Sequence, residues 1–278
     1  MLIRAGYEIS LEFDQETPVM GLISVHPSRA ADLRSPALIT SSRPAILVPS
    51  LDDFGNVRSR MLAPVGPLTL ATEFLIEDSG LPDQIDKNAQ EVPVTELPNE
   101  ALRFLLGSRY CETDRMVELA WSLFGKTLPG YTRVQAICDY VHNRLTFGYG
   151  FARNTRTAFE AHEEQVGVCR DFAHLAITLC RCMNIPARYA TGYLGDIGVP
   201  ADPAPMDFSA WFEVYLGGRW VTLDARHNHP RIGRILMAHG RDAADCAITT
   251  SFGEARLTKF RIITEEVSSA QLRHLFAA

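Results

Sequence analysis

Excess positive charge is absent from this chain. Its 278 residues carry 27 Lys and Arg against 33 Asp and Glu, giving a formal net charge of −6 and an isoelectric point near 5.8. No clustered basic surface of the kind that holds a phosphate backbone follows from this, so nucleic acid is not an expected partner. The few Arg pairs, such as Arg231 and Arg234, read as solvated or locally paired. Long apolar runs are absent too, and no window approaches the roughly 18 consecutive apolar residues of a membrane helix. The opening residues, Met1 to Glu8, lack the basic start and apolar stretch of a signal peptide, so the expected location is the cytoplasm and no membrane partner is expected. There is no repeat and no low-complexity tract. The cysteines (Cys111, Cys138, Cys169, Cys180, Cys182 and Cys246) include no CxxC pair, and Cys180-x-Cys182 is not zinc spacing. Free thiols in a reducing compartment are expected, with no metal and no cofactor.

What is present is an ordinary globular composition, 46% apolar and 22% charged. The length favours two domains over one. Up to about residue 75, short runs such as Tyr7–Phe13, Gly21–Val25 and Ala45–Val48 alternate with turn formers. Period-two patterning of this kind predicts an antiparallel sheet or sandwich. Between Ile76 and Asn99 the chain turns polar and proline-bearing, as a linker does. The expected domains are therefore 1–97, all-β, and 98–278, α+β with helices packed on an antiparallel sheet.

In the second part the apolar period lengthens. Helices are predicted over Asp114–Phe124, Tyr131–Leu145 and, most clearly, Arg170–Met183, which Asn184-Ile185-Pro186 stops. A strand follows over Ala187–Tyr193, then a Pro/Gly/Asp-rich loop and a hairpin of Trp211–Leu216 and Trp220–Asp224. Gly217-Gly218 suits its turn, where positive backbone angles are needed. The tail is expected to hold a short strand, Phe260–Ile263, and a small helix from about Ser268.

Cys169 falls at the first turn of the clearest helix. Unpaired N–H groups and the positive end of the helix dipole lower a thiol's pKa there, and the same N–H groups stabilise an oxyanion. The bland reading is a cysteine capping a core helix. Cys180 and Cys182 lie farther along and read as core thiols.

Five blocks around this residue decide between the readings. They are Gly167-Val168-Cys169-Arg170-Asp171-Phe172-Ala173, Asn184-Ile185-Pro186-Ala187-Arg188-Tyr189, Gly192-Tyr193, Ala210-Trp211-Phe212-Glu213-Val214-Tyr215 and Trp220-Val221-Thr222-Leu223-Asp224. In this order they resemble the core of the transglutaminase-like superfamily over about residues 110–230. The upstream β domain resembles one often attached to that core in bacteria. The resemblance implies a papain-like fold with a Cys-His-Asp triad, acyl transfer to water or an amine, no metal requirement in most bacterial members, and a peptide or protein substrate. Cys169 matches the nucleophile and Asp224 the acid that orients the base.

The histidine does not carry over, because Ser209-Ala210-Trp211 stands where the family has His-Ala-Trp. With a two-residue turn, paired hairpin residues sum to 435, so Trp211 faces Asp224 and position 209 lies diagonal to it. Ser209 cannot act as a base at neutral pH. His227, three residues past Asp224, is the best substitute provided a turn brings it round; His162 and His229 are alternatives. His174 and His142 read as core or surface residues, and His227-x-His229 lacks a third metal ligand. Ser209, Trp211 and Tyr149 are candidate substrate-contact residues. The competing function is a degenerate scaffold that binds peptide or protein without catalysis. Oligomeric state is not legible.

Overall fold

The computed structural model describes residues 1–268, so the helix expected from about Ser268 lies outside the described residues. The strands, in chain order, are β1 (Leu2–Phe13), β2 (Thr17–Gly21), β3 (Thr40–Ser41), β4 (Val48–Leu51), β5 (Val57–Ala63), β6 (Gly66–Glu77), β7 (Thr146–Phe147), β8 (Val166–Gly167), β9 (Ala187–Tyr193), β10 (Ser209–Leu216), β11 (Arg219–Leu223), β12 (Ile235–Gly240), β13 (Thr249–Ser251) and β14 (Arg256–Glu266). The helices are α1 (Asn99–Leu102), α2 (Thr113–Phe124), α3 (Tyr131–Arg144), α4 (Ala158–Glu164) and α5 (Cys169–Cys182). The molecule combines helices with antiparallel sheets and has the strand-rich N-terminal region that the patterning predicts.

In β1 the odd positions Ile3, Ala5, Tyr7, Ile9, Leu11 and Phe13 are buried, a period of two, interrupted by the buried Gly6, that puts one face of the strand on a core. Two four-stranded sheets, ordered β14-β1-β6-β3 and β13-β2-β5-β4, build this part of the molecule. Strand pairing differs here from the division at residue 97, because β13 and β14 return from the C-terminal part to pair with β2 and β1. The reason is that β1 has two bonding edges, and β6 occupies only one of them.

The third sheet, ordered β11-β10-β9-β12, carries α5 against its β9 and β10 strands. Almost every residue of α5 is buried, as expected of a helix at the centre of a core. The β10–β11 register pairs Leu216 with Arg219 and Phe212 with Leu223, as a two-residue turn requires. Gly217 and Gly218 both have positive φ, 57° and 81°, which residues with a Cβ adopt only at a cost. Residues 78–98 are not a free connector: Glu91 bonds Arg133 Nη1 at 2.9 Å and the Gly130 N–H at 2.9 Å, and Asp83 reaches the third sheet.

Candidate active site

The site begins at a short parallel pairing. Thr146 and Phe147 of β7 lie beside Val166 and Gly167 of β8, which delivers the chain directly into α5. Gly167 is required by a close approach, since a Cβ there would lie 2.6 Å from Asp171 Cβ. The buried Asp171 carboxylate accepts the Val168 N–H at 2.9 Å, and Arg156 Nη1 donates to it at 3.1 Å. Asp171 thus anchors the start of α5, and the N–H groups of Cys169 and Arg170 precede the first helical hydrogen bond.

Beyond β11 the chain turns at Asp224 rather than continuing as a strand. Its Oδ1 accepts the backbone N–H groups of Arg226 and His227, both at 3.0 Å, which closes the turn and brings the His227 ring round. Asp224 Oδ2 pairs with His227 Nδ1 at 2.8 Å and accepts from Arg234 Nη2 at 2.9 Å. The carboxylate therefore receives four donors and is buried. Burial alone would raise its pKa; Arg234 and His227 outweigh that and hold it well below the usual carboxylate range. One face of α3 pins the same turn. Gln135 Nε2 donates to Asn228 Oδ1 at 2.9 Å, Asn228 Nδ2 to Asp139 Oδ1 at 2.8 Å, and His142 Nδ1 meets the Arg226 carbonyl at 2.9 Å. Although exposed, His142 is thus more than a surface residue.

Cys169 and His227 line one cleft of about 520 Å³, together with Tyr149, Ser209, Arg226 and the β9–β10 loop from Leu194 to Phe208. His227 Nδ1 is held by Asp224, which leaves Nε2 as the nitrogen free to face other groups. Burial lowers the His227 pKa, and Asp224 only partly opposes it, so the ring is neutral at pH 7. Burial pushes the Cys169 thiol up to about 11, against the pull of Arg226 and the Ala210 backbone; Asp207 pushes in the same direction as burial. The lowering expected from the helix start is opposed here by partial burial of the side chain.

The remaining sequence candidates separate clearly. Ser209 and Tyr149 line the cleft, and the buried Ser209 hydroxyl has no hydrogen-bond partner among the described residues. Trp211 is buried under the Arg234 guanidinium, 4.9 Å from its ring centre, and does not line the cleft. His229 lines the cleft but turns Nδ1 onto the His227 carbonyl at 2.7 Å. His162 is held by Tyr140 at 2.8 Å, and His174 is buried, accepting the Ala243 N–H at 3.1 Å. Among the described residues no group of three or more metal-type side chains converges. Arg231 and Arg234 are locally paired and buried, not solvated. Sequence reading missed Asp83, Arg226 and Asp207. Only the Asp224-to-His227 spacing signalled this neighbourhood, and it did not reach those residues.

With this geometry in view, the comparisons with known proteins become specific. The transglutaminase-like superfamily model matches residues 118–225, a span that runs from α2 through Cys169 to Asp224. The chain carries a transglutaminase-like core. A crystal structure of a proposed cysteine protease from Cytophaga hutchinsonii superimposes with a TM-score of 0.81 and 29% identity, covering 97% of this chain and 91% of that one. An uncharacterised Mycobacterium leprae protein is 27% identical over 206 residues, covering 71% of this chain and 72% of its own length. An uncharacterised protein of Mycobacterium tuberculosis strain H37Rv is 27% identical over 221 residues, covering 73% and 70%. The transglutaminase-like core therefore sits within a longer architecture that the Cytophaga structure shares almost end to end.

Proposed function

We propose that this transglutaminase-like protein is a thiol-dependent acyl-transfer enzyme acting on amide or isopeptide bonds of a peptide or protein, in the cytoplasm and without a cofactor. Cys169 is the nucleophile, His227 the base and Asp224 the acid that orients it. The observation that carries this reading is the 2.8 Å contact of His227 Nδ1 with Asp224, on the wall of the cleft that Cys169 also lines. It supplies the base that Ser209 cannot.

A neutral thiol beside a neutral imidazole implies general-base attack rather than a standing ion pair. The Cys169 proton passes to His227 Nε2 as sulfur bonds the acyl carbon. The N–H groups of Cys169 and Arg170 receive the developing oxyanion. His227 then returns the proton to the departing amine as the C–N bond breaks, leaving a thioester. Water or a second amine resolves it.

The test uses p-nitrophenyl acetate as acyl donor. Wild-type protein should give a burst of p-nitrophenolate and an acetyl group on Cys169 by peptide mass mapping. Cys169→Ser should remove both, and His227→Asn should slow the burst by at least about 100-fold. The raised thiol pKa favours a second reading, a non-catalytic peptide-binding scaffold. A burst that persists in Cys169→Ser, or no burst in wild type, would favour that reading.

A further inference from the structure

Four of the contacts described above converge on one side chain outside the matched core. Arg234 immediately precedes β12, past residue 225 where the family match ends. Its Nη2 donates to Asp224 Oδ2 at 2.9 Å, the same oxygen that holds His227 Nδ1 at 2.8 Å. Its Nε donates to both oxygens of Asp83, at 2.9 and 3.2 Å, and Asp83 Oδ2 also accepts the Arg231 N–H at 2.9 Å. Its guanidinium lies 4.9 Å from the Trp211 ring centre. Arg234 is only 8% exposed, so these bonds are little screened by water.

We propose that Arg234, gripped by Asp83 from the 78–98 segment and seated on Trp211, is the positioning residue that fixes the Asp224 carboxylate against His227. A carboxylate held by backbone donors at one oxygen alone could rotate away from the imidazole. With Arg234 at the other oxygen it cannot do so without breaking a charge-assisted bond. Asp83 holds Arg234 in turn, so the 78–98 segment reaches the Asp224 turn through this carboxylate. This deepens the acyl-transfer reading and rests on it for its consequence, though not for its measurement.

At Arg234, loss of positioning and loss of charge act on His227 with opposite signs. The charged and titratable groups around His227 are Asp224, Arg226, Arg231 and His229 from its own turn, Arg234 behind Asp224, and Cys169 and Asp207 across the cleft; on α3, Asp139 and His142 hold its neighbours Asn228 and Arg226. Loss of Arg234 frees the Asp224 carboxylate to rotate away from the imidazole, which lowers the His227 titration midpoint; loss of the Arg234 charge with Asp224 still in place would raise it. Removing the Asp83 charge leaves Arg234 uncompensated, which lowers it.

The experiment is an NMR pH titration of the His227 ring resonance in the full chain, assigned by its loss in His227→Asn. Arg234→Met should move the midpoint down by about one unit and Asp83→Asn should move it down by a fraction of a unit. A midpoint unchanged or raised in Arg234→Met overturns the proposal, because charge removal without loss of positioning raises it. If Arg234→Met does not fold, Asp83→Asn decides alone, because asparagine keeps an acceptor for Arg234 and removes only charge; no downward shift then overturns it. The titration needs no substrate. His227 shifts of the expected signs with no acyl transfer would reject the enzyme reading and leave the Arg234 assignment standing.

Discussion

The resting state of Cys169 can be tested directly by alkylation with iodoacetamide. A thiol moved from its ordinary 9.0 to about 11 has its thiolate fraction at neutral pH reduced about 100-fold. The more basic thiolate is intrinsically more nucleophilic, and a Brønsted slope of about 0.4–0.5 over two units returns roughly tenfold. Cys169 should therefore react about tenfold more slowly than an ordinary free thiol at pH 7, with a rate that climbs nearly tenfold per pH unit towards pH 10. The rate is read by mass mapping of the Cys169 peptide in wild type, with Cys169→Ser as control; the five other cysteines are buried. His227→Asn should leave this rate almost unchanged while slowing acyl transfer, because the imidazole acts on the proton only during attack. A rate that is level between about pH 5 and 8 and faster than a free thiol would mean a thiolate–imidazolium pair, and would refute the reasoning from burial.

Gly167→Ala places a Cβ 2.6 Å from Asp171 Cβ and forces the helix anchor to move; we expect a loss of about 1–3 kcal/mol in urea unfolding and a reduced burst. Arg156→Ala leaves the fully buried Asp171 carboxylate without its nearest cation, and should cost about 3–5 kcal/mol by the same measurement. His239 is held neutral with its pKa lowered from 6.5 to about 3, by burial first and then by Arg188 and His26. A histidine pKa that is lower folded than unfolded contributes fully above the unfolded value, and its contribution is lost as pH falls. Two units below pH 6.5 this cost reaches at most about 3 kcal/mol, so His239→Gln should flatten the fall in unfolding free energy between about pH 6.5 and 4.5.

Much of the third sheet was legible because its determinants are local. Two adjacent glycines set the turn between β10 and β11, and the turn sets the register from Leu216–Arg219 to Phe212–Leu223. The strand β9 follows from a run bounded by Pro186 and the Pro/Gly/Asp-rich loop after Tyr193, and α5 from apolar spacing and the stop at Pro186. The turn that brings His227 to Asp224 was only half legible, since it depends on Asp224 Oδ1 capturing two N–H groups instead of a strand continuing. The thiol's raised pKa was not legible at all. It follows from the partial burial of Cys169 in the cleft, a property of packing rather than of helix position. Arg234 and Asp83 are 151 residues apart in sequence, and no pattern in either segment announces that they meet.

The return of β14 to β1 also fixes an order of events during synthesis. Arg4 and its partner Glu265 are 261 positions apart, so β1 leaves the ribosome long before the strand that covers its second edge. Until then β1 presents the N–H and C=O groups of up to twelve residues, backed by an apolar face, to any strand that comes near. The nascent chain thus carries an open template through most of its elongation. Contacts this distant in sequence also close slowly, which lengthens the exposure after release. A chaperone that shields that edge should raise the yield of native protein more than one that acts on the helical segment, whose contacts are largely complete before β14 appears.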